Sequence, residues 1–255
     1  MHAEKRQSLI AGYLKEIDFA SLEDLSKRLG VSVSTVRRDV SALEVRGNVR
    51  RTHGGARWIP NRPDEYAFTV RNTQSVREKE SIARICAEQV QHGQTVIMDA
   101  GSTVFNAARN LGPKAPQIIT NSLPIANLFS SSPNVEVIVS GGVIYPRLGV
   151  LVGPLAVEAF SKARADVAIM SASGLTPEGI FNSHAHLIDI QRAMIASSTR
   201  VIFCLDHTKL DRRSLFYLTK LENLDCLITD WQAEEPILDG LRCSGIEVIT
   251  APKPD

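Results

Sequence analysis

The chain of 255 residues lacks the features that mark secreted, membrane-embedded and zinc-binding proteins. Its longest apolar runs, such as VIFCL at residues 201–205, fall far short of the ~20 residues that span a bilayer, and the opening MHAEKRQ has no apolar signal core. No CxxC pair occurs, which argues against a disulfide framework and a zinc knuckle. We expect a cytoplasmic protein without membrane partner, metal or cofactor. Its widely separated cysteines, predicted to be small buried residues, are Cys86, Cys204, Cys226 and Cys243.

Net charge is also small, at +1, but it is unevenly distributed. Residues 1–60 carry 11 Lys and Arg against 7 Asp and Glu, whereas the remaining residues carry 18 against 21. Residues 32–57 alone contain six arginines and two acids. A local basic surface on a nearly neutral chain predicts a polyanionic partner for the N-terminal part only.

The stretch WIPNRPDEY at residues 58–66 interrupts the periodic pattern with two prolines and an asparagine. We therefore predict a small N-terminal domain at residues 1–57, a linker at residues 58–74 and a larger domain at residues 75–255. With 44% apolar residues, a chain of this length can bury a core without covalent staples.

The N-terminal domain is predicted to be helical with a terminal hairpin. Ile10 and Leu14 recur at helical spacing, and Ser21 with Asp24 is typical of a capping box at the start of a second helix. A third helix is predicted from Ser32 to about residue 46, followed by an extended arm in VRRTHGG. The predicted order is helix, helix, turn, helix, hairpin.

The third helix, VSVSTVRRDV, has an apolar side and a polar side. Val33, Val36, Val40 and Leu43 share the side expected to pack on the other helices. Small hydroxyls and arginines on the opposite side are typical of a recognition helix in DNA. The alternative is a solvated helix face on which Asp39 and Glu44 pair with the arginines. The residues predicted to contact DNA, from this helix and the basic arm, are Ser34, Thr35, Arg37, Arg38, Arg50, Arg51, His53 and Arg57.

The second domain alternates short apolar runs with amphipathic segments. The runs are TVIMD, QIITN, VEVIVS, DVAIMS, VIFCLD, DCLITD and IEVIT. This pattern predicts an α/β domain with a largely parallel sheet covered by helices on both faces. Such sheets bind ligands beyond the carboxyl ends of their strands, where this chain has DAGST, NS, SGG, SASG and Asp206 with Lys209. For DAGST alone, the alternative is a simple helix cap by Ser102.

The segment VSVSTVRRDVSALEVRGNVRRTHGGA resembles the winged helix-turn-helix signature of the DeoR family of bacterial transcriptional regulators. The resemblance continues through EKESIARICAEQV, MDAGSTVFNAARNL, TNSLPIANLF and VSGGVIYPRLGVLVGPLA to DHTKL and GIEVITA, so it covers nearly the whole chain. It implies a sensor domain similar in fold to ribose-5-phosphate isomerase, with a phosphorylated sugar as effector. It also implies a repressor of a carbohydrate operon that binds double-stranded operator DNA. Because one wing and one recognition helix contact about one half-site, we expect a homo-oligomer, either a dimer or a tetramer.

The resemblance further implies which residues contact the effector. In HLIDIQRAMI this chain departs from the family pattern, because Leu187 stands in place of an acid and Gln191 in place of a lysine. The identity of the effector is therefore left open. The implied contacts are Asp99, Gly101, Ser102, Thr103, Asn121, Ser122, Gly141, Gly142, Arg147 and Lys209.

Two other functions compete with regulation. A sugar-phosphate isomerase needs a general base and a donor for the developing oxyanion, and Asp99, Asp206 and Lys209 are available for these roles. An isomerase, however, has no use for a basic recognition helix. An architectural DNA-binding protein would need the helix but not the large second domain. We therefore predict a regulator without catalytic residues.

His184 and His186, with Asp189 nearby, have the HxH spacing that can chelate zinc or nickel. No Cys or Glu partner follows at metal-site spacing, so we interpret them as polar loop residues or effector contacts. Residues 71–80 are interpreted as a solvated helix start.

Overall fold

A computed structural model of the chain describes residues 3–45, 49–52, 54–58, 67–114 and 117–254. It divides into two compact units, Met1–Glu65 and Tyr66–Asp255, here called the N-terminal and C-terminal units. Residues 59–66 of the predicted linker lie outside the described residues. A short helix at Phe68–Asn72 falls within the predicted linker but belongs to the C-terminal unit, because the Phe68 ring packs edge-on against Phe105 at 5.3 Å between centroids.

The N-terminal unit follows the predicted order with one additional strand. Ser21 begins the second helix by accepting a hydrogen bond from the Asp24 backbone N–H at 3.0 Å, and Gly30 ends it in the left-handed region. The additional strand, β1, pairs antiparallel with the hairpin and was missed because three residues carry no periodicity. The elements are α1 (Ala3–Ile17), β1 (Phe19–Ser21), α2 (Leu22–Leu29), α3 (Val33–Val45), β2 (Val49–Thr52) and β3 (Gly55–Trp58).

A single apolar core holds these elements together. Val36 and Val40 of α3 are fully buried and Leu43 is 3% exposed, whereas Val33 is half-buried. They pack with Ile10 and other buried residues of α1, α2 and the hairpin. The predicted apolar side of α3 therefore faces the core, and its opposite side faces outward.

The C-terminal unit contains a parallel sheet built from the seven predicted apolar runs. The strand order is β15-β14-β12-β9-β4-β5-β6, and every neighbouring pair is parallel. The strands are β4 (Thr95–Met98), β5 (Gln117–Thr120), β6 (Val137–Val139), β9 (Ala165–Met170), β12 (Ser198–Cys204), β14 (Cys226–Asp230) and β15 (Glu247–Ala251).

Helices cover both faces of this sheet, as predicted. Alternate residues of one strand enter different cores: Ile97 belongs to one apolar cluster, while Val96 and Met98 belong to the other. The helices are α4 (Phe68–Asn72), α5 (Val76–Glu88), α6 (Ser102–Leu111), α7 (Leu123–Phe129), α8 (Pro154–Lys162), α9 (Ala185–Ala196) and α10 (Glu235–Cys243). Short 3-10 turns occupy Gly112–Lys114, His207–Lys209 and Leu221–Asn223.

Two small antiparallel elements were not predicted, since their short strands lie outside the apolar runs that alternate with amphipathic segments. A hairpin joins β7 (Val143–Tyr145) to β8 (Val150–Val152). A second sheet has the order β10-β11-β13. Its strands are β10 (Gly174–Thr176), β11 (Gly179–Asn182) and β13 (Phe216–Thr219).

Three cysteines are buried as predicted, but Cys243 is exposed at the end of α10. In the part of the chain that the structure describes, each helix is too short or too polar to traverse a bilayer.

Candidate functional sites

The two acids of α3 turn away from its adjacent arginines. Asp39 is 3% exposed and accepts hydrogen bonds from Arg6 Nε at 2.5 Å and Gln7 Nε2 at 3.3 Å. Among the described residues, neither Arg37 nor Arg38 forms an ion pair, and both are exposed. The alternative of local pairing with these acids is therefore not observed, and the charge of both arginines is available to a ligand.

Three residues with hydroxyl side chains, Ser32, Ser34 and Thr35, lie at the N-terminal end of α3. Ser32 Oγ accepts a hydrogen bond from the Thr35 backbone N–H at 3.3 Å and lies 2.9 Å from the hydroxyls of both Ser34 and Thr35. This confirms Ser32 as the cap. The small side chains leave the start of the helix open to close approach by a nucleic acid backbone.

The β2–β3 hairpin places Arg50 opposite Arg57, which puts two like charges on one face of the pair. Both are exposed, and Arg57 Nε lies 3.3 Å from Asp18 Oδ2. Asp18 offsets part of the Arg57 charge, but like charges directly opposite each other are unfavourable, so this face is suited to a phosphate backbone.

Arg51, on the other face of the hairpin, is tied to the end of α3. Its backbone N–H donates to Glu44 Oε1 at 2.9 Å, and its Nη1 donates to Ser41 Oγ at 2.9 Å. Glu44 therefore offsets part of the Arg51 charge, in contrast to Arg50. His53, also predicted to contact DNA, lies outside the described residues.

Two adjoining pockets open at the carboxyl ends of β4, β9 and β12, which are neighbours in the sheet. Both are lined by Arg71, Ser171 and Ala172. We call them the Gln191 pocket and the Lys79 pocket. The further lining of the Gln191 pocket is Asp99, Ala100, Leu148, Val150, Ser173, Asn182, His184, Leu187 and Gln191. That of the Lys79 pocket is Gln74, Lys79, Gly101, Ser102, Thr103, Cys204, Leu205, Asp206 and Lys209.

The Gln191 pocket has a buried hydrogen-bond network at its base. Gln191, 1% exposed, donates from Nε2 to Asp99 Oδ2 at 2.9 Å and to the Ser171 carbonyl at 3.1 Å, and its Oε1 accepts from Asn182 Nδ2 at 2.8 Å. Ser171 adds two bonds to the same Asp99 oxygen, from its N–H at 3.1 Å and its Oγ at 2.8 Å. Among the described residues, Asp99 Oδ1 has no such partner, so it can accept a hydrogen bond from a ligand.

One wall of the Gln191 pocket is apolar. Leu187, on the first turn of α9, packs with Ala100, Leu148 and Val150 in a small buried cluster. The β7–β8 hairpin supplies Val150, and the turn that joins its strands supplies Leu148. The two residues that depart from the family pattern, Leu187 and Gln191, therefore both line this pocket. Because Gln191 stands in place of a lysine, the pocket has no lysine at that position.

The Lys79 pocket combines a helix N-terminus with cationic side chains. Ser102 and Thr103 are 5% and 6% exposed, and their hydroxyls have no hydrogen-bond partner among the described residues. Gly101 precedes them, and a Cβ there would lie 2.1 Å from Ser171 Oγ, so the close approach of α6 to β9 requires glycine. The free N–H groups of the first turn add positive potential.

Lysines supply the remaining charge in this pocket. Burial lowers the pKa of Lys79 to about 8, and burial also lowers the pKa of Lys209, while the Asp206 carboxylate opposes both shifts. Asp206 itself is 2% exposed and accepts the Thr208 backbone N–H at 3.1 Å. A bound anion would favour the charged form of both lysines.

The structure brings half of the predicted effector residues together at these pockets: Asp99, Gly101, Ser102, Thr103 and Lys209. The other five line neither pocket. Arg147 is exposed, and its carbonyl accepts the Phe68 N–H at 3.3 Å. Gly141 and Gly142 lead into β7 with positive φ, and a Cβ on Gly142 would lie 2.5 Å from the Val152 carbonyl oxygen.

Asn121 and Ser122 are buried at the end of β5, where they support the hairpin that walls the Gln191 pocket. Asn121 Nδ2 donates to the Leu151 carbonyl at 3.1 Å, and Ser122 Oγ caps α7 by accepting from the Ile125 N–H at 3.3 Å. Asn121 and Ser122 therefore stabilise the structure around the pockets and do not line either of them.

Sequence reasoning missed Arg71, Gln74 and Lys79. The interpretation of residues 71–80 as a solvated helix start is wrong for Lys79, which is 4% exposed. The available signal was its position: three residues before the buried Ile82 in α5, Lys79 shares a helix face with the core.

His184 and His186 lie near the Tyr145 ring, at 6.3 and 5.7 Å between ring centroids. Within the described ranges, no three His, Cys, Asp or Glu side chains are grouped to hold a metal ion.

Comparison with known proteins matches each of the two units to a known domain family. Residues 6–62 match the DeoR-like helix-turn-helix domain, and residues 74–231 match the DeoR C terminal sensor domain. The HTH-type transcriptional regulator GolR of Listeria innocua is 32% identical over 246 residues, which are 96% of this chain and 97% of that protein. The HTH-type transcriptional repressor GlcR of Bacillus subtilis is 30% identical over 249 residues, with 98% and 96% covered.

Similarity to solved structures is weaker. Ribose 5-phosphate isomerase A of Methanocaldococcus jannaschii has a TM-score of 0.38 and 14% identity, with 52% of this chain and 53% of that chain covered. The eIF2B delta subunit of Chaetomium thermophilum has a TM-score of 0.45 and 16% identity, with 62% and 57% covered. At these values neither similarity carries a functional argument.

The named relatives match over nearly their full length, and they are transcriptional regulators rather than enzymes. The prediction of a DNA-binding regulator in preference to an isomerase is therefore confirmed. The chain belongs to the DeoR family of transcriptional regulators, with a helix-turn-helix DNA-binding domain followed by a sensor domain.

Proposed function

We propose that α3 enters the major groove of operator DNA and that the β2–β3 hairpin follows the phosphate backbone. The supporting observation is that Asp39 and Glu44 are engaged elsewhere, which leaves Arg37 and Arg38 unpaired on an exposed face. Arg38 is assigned to base edges, because arginine pairs in a bidentate manner with guanine. The remaining proposed contacts are Ser34, Thr35 and Arg37 on the helix, Arg50, Arg51 and Arg57 on the hairpin, and His53, which lies outside the described residues.

A selection from random duplexes, followed by DNA footprinting with the full chain, tests this assignment. The expected footprint is a repeated or palindromic site, because one α3 and one hairpin cover about one half-site. A homo-oligomer, whose size is left open, would supply the second reading head. Protection without any sequence preference would instead indicate an architectural DNA-binding protein.

For the sensor domain, we propose a phosphorylated sugar as effector. The Lys79 pocket has the chemistry of a phosphate site: an open helix N-terminus, two hydroxyls that have no hydrogen-bond partner among the described residues, and Lys209. The adjoining Gln191 pocket would take the sugar, with Asp99 Oδ1 accepting a hydrogen bond from a hydroxyl group. GlcR is named a repressor, and we propose repression here too, relieved when the effector binds in the cytoplasm.

The sugar end of the effector is proposed to be uncharged. Gln191 holds Asp99 through a neutral amide, so the hydrogen-bond donors to the Asp99 carboxylate among the described residues, Gln191 and Ser171, are all uncharged. A sugar acid would place a second carboxylate against it, and like charges at this distance repel. A neutral polyol or aldose phosphate avoids this cost.

A thermal-shift screen of neutral sugar phosphates against the corresponding sugar-acid phosphates tests this proposal. We expect stabilisation by a member of the first group, lost in Asp99→Asn or Lys209→Met and retained in the control Lys162→Met, whose lysine is exposed on α8. Stabilisation that survives both site substitutions would place the effector elsewhere.

A further inference from the structure

Lys79 of α5 closes the turn between α4 and α5. Its Nζ donates to the carbonyl oxygen of Arg71, in α4, at 2.5 Å and to that of Gln74, within the turn, at 2.6 Å. Ser75, within the turn, has φ of 46° and ψ of 46°, a conformation that a residue other than glycine keeps only where its surroundings hold it. The ammonium group therefore fixes the backbone of residues 71–75.

The same ammonium group is also part of the Lys79 pocket. Lysine has three N–H donors, and carbonyl oxygens occupy two of them. No carboxylate among the described residues forms an ion pair with Lys79, although it is 4% exposed; Asp206 acts only through space. A buried cation with an unused donor beside Ser102, Thr103 and Lys209 is suited to an anion.

We propose that Lys79 binds the anionic group of the effector and thereby fixes residues 67–75, the first described segment of the C-terminal unit after the DNA-binding unit. This inference rests on the proposed phosphate site and adds its consequence. Arg71 lines the same pocket, so an anion engages this segment through both a side chain and the lysine that holds its carbonyls. Anion binding in the Lys79 pocket is then coupled to the conformation of residues 67–75, the segment that follows the DNA-binding unit in the sequence.

Hydrogen exchange of the full chain, with and without inorganic phosphate, tests this coupling. We expect phosphate to slow exchange in residues 67–75 of the unsubstituted chain. Lys79→Met should lower phosphate affinity roughly tenfold, since a charge-assisted hydrogen bond is lost. At saturating phosphate, the same variant should show no slowing in this segment.

Lys209→Met is the matched variant, because it lines the pocket without contacting the carbonyls of residues 71 and 74. It should also bind phosphate more weakly but keep the slowed exchange at saturation. Lys162→Met should behave as the unsubstituted chain does.

The outcomes separate this inference from the proposed function. Phosphate binding that is weakened by Lys209→Met but not by Lys79→Met would overturn the role of Lys79 and leave the phosphate site intact. Slowed exchange that persists in saturated Lys79→Met, or that is absent from the unsubstituted chain, would overturn the coupling. Absence of phosphate binding in the unsubstituted chain would overturn both.

Discussion

The DNA-binding surface and the sensor pockets arrange polar side chains in opposite ways. On α3 and the hairpin, arginines are exposed while the acid Asp39 is turned inward to Arg6. In the Gln191 pocket, the polar groups are buried and bonded to one another, so that one Asp99 oxygen receives three hydrogen bonds. The first surface presents exposed arginines to a large anion, whereas the second uses internal hydrogen bonds to position a few groups for a small ligand.

This difference has a consequence for mutagenesis. Substitutions on the DNA-binding surface should change binding and leave stability nearly unchanged, because exposed side chains contribute little to folding. Substitutions in the buried network should change stability and ligand binding together.

The largest effect is expected from Gln191→Glu. The new carboxylate would face Asp99 in a buried site, and both the hydrogen bond and the charge balance would be lost. We expect a loss of roughly 3 kcal/mol in the free energy of unfolding at neutral pH, partly recovered in acid as one carboxyl becomes protonated. Urea denaturation at several pH values measures this.

Gln232→Glu is the control, because exposed Gln232 also donates to a carboxylate, Glu78 Oε1 at 2.7 Å. It should change stability by less than about 0.5 kcal/mol. Equal costs for the two variants would contradict the buried network.

Arg38→Ala should produce the next largest effect. A bidentate arginine–guanine pair contributes about 1–3 kcal/mol of discrimination, so operator affinity should fall roughly 10- to 100-fold with relaxed base preference. Fluorescence anisotropy with the selected duplex measures the affinity, and exposed Arg164→Ala is the control. Unchanged affinity at moderate salt would reject the assignment, and lost folding stability would break the contrast between the two regions.

The pH dependence of stability should carry a contribution from Lys79. Its pKa is about 8 in the folded chain against 10.5 without burial, so the unfolded chain binds more protons between these values. Stability from this group therefore rises with pH across that window, by at most about 1.4 kcal/mol per pH unit. The difference in the free energy of unfolding between the unsubstituted chain and Lys79→Met isolates this contribution. A difference that stays constant from pH 8 to 10 would show that Lys79 is not buried as described.

The smallest effect is expected on the hairpin. Arg50→Ala should weaken binding to all duplexes alike and reduce the salt slope by about 0.9, the value for one phosphate contact. Arg51→Ala should do less, because Glu44 already offsets its charge. Anisotropy over a series of salt concentrations tests both, and a loss confined to the selected duplex would contradict backbone contact.

The sequence predicted regular elements well where apolar runs alternate with amphipathic segments or where apolar residues recur at helical spacing. All seven strands of the parallel sheet and the apolar side of α3 are examples. The strand β1 and the β7–β8 hairpin were missed, because these short antiparallel strands are defined by their partners and not by their own pattern.

Prediction of the sensor pockets was only partial for a related reason. Asp99, Gly101 and Lys209 follow strands, so topology alone placed them at one edge of the sheet. Lys79 reaches the pocket from the middle of a helix, and its burial depends on two carbonyls of a preceding turn. Gln191 has its partners in three other segments, which no local pattern reveals.

The central claim is that the sensor pockets control the DNA-binding surface, and operator affinity measured with and without a bound sugar phosphate tests it most directly. A ligand that stabilises the unsubstituted chain should weaken operator binding by about 5- to 150-fold, the usual range of such coupling, and should have no effect on Lys209→Met at the same concentration. Operator affinity that stays unchanged while a sugar phosphate occupies the unsubstituted chain would contradict the account.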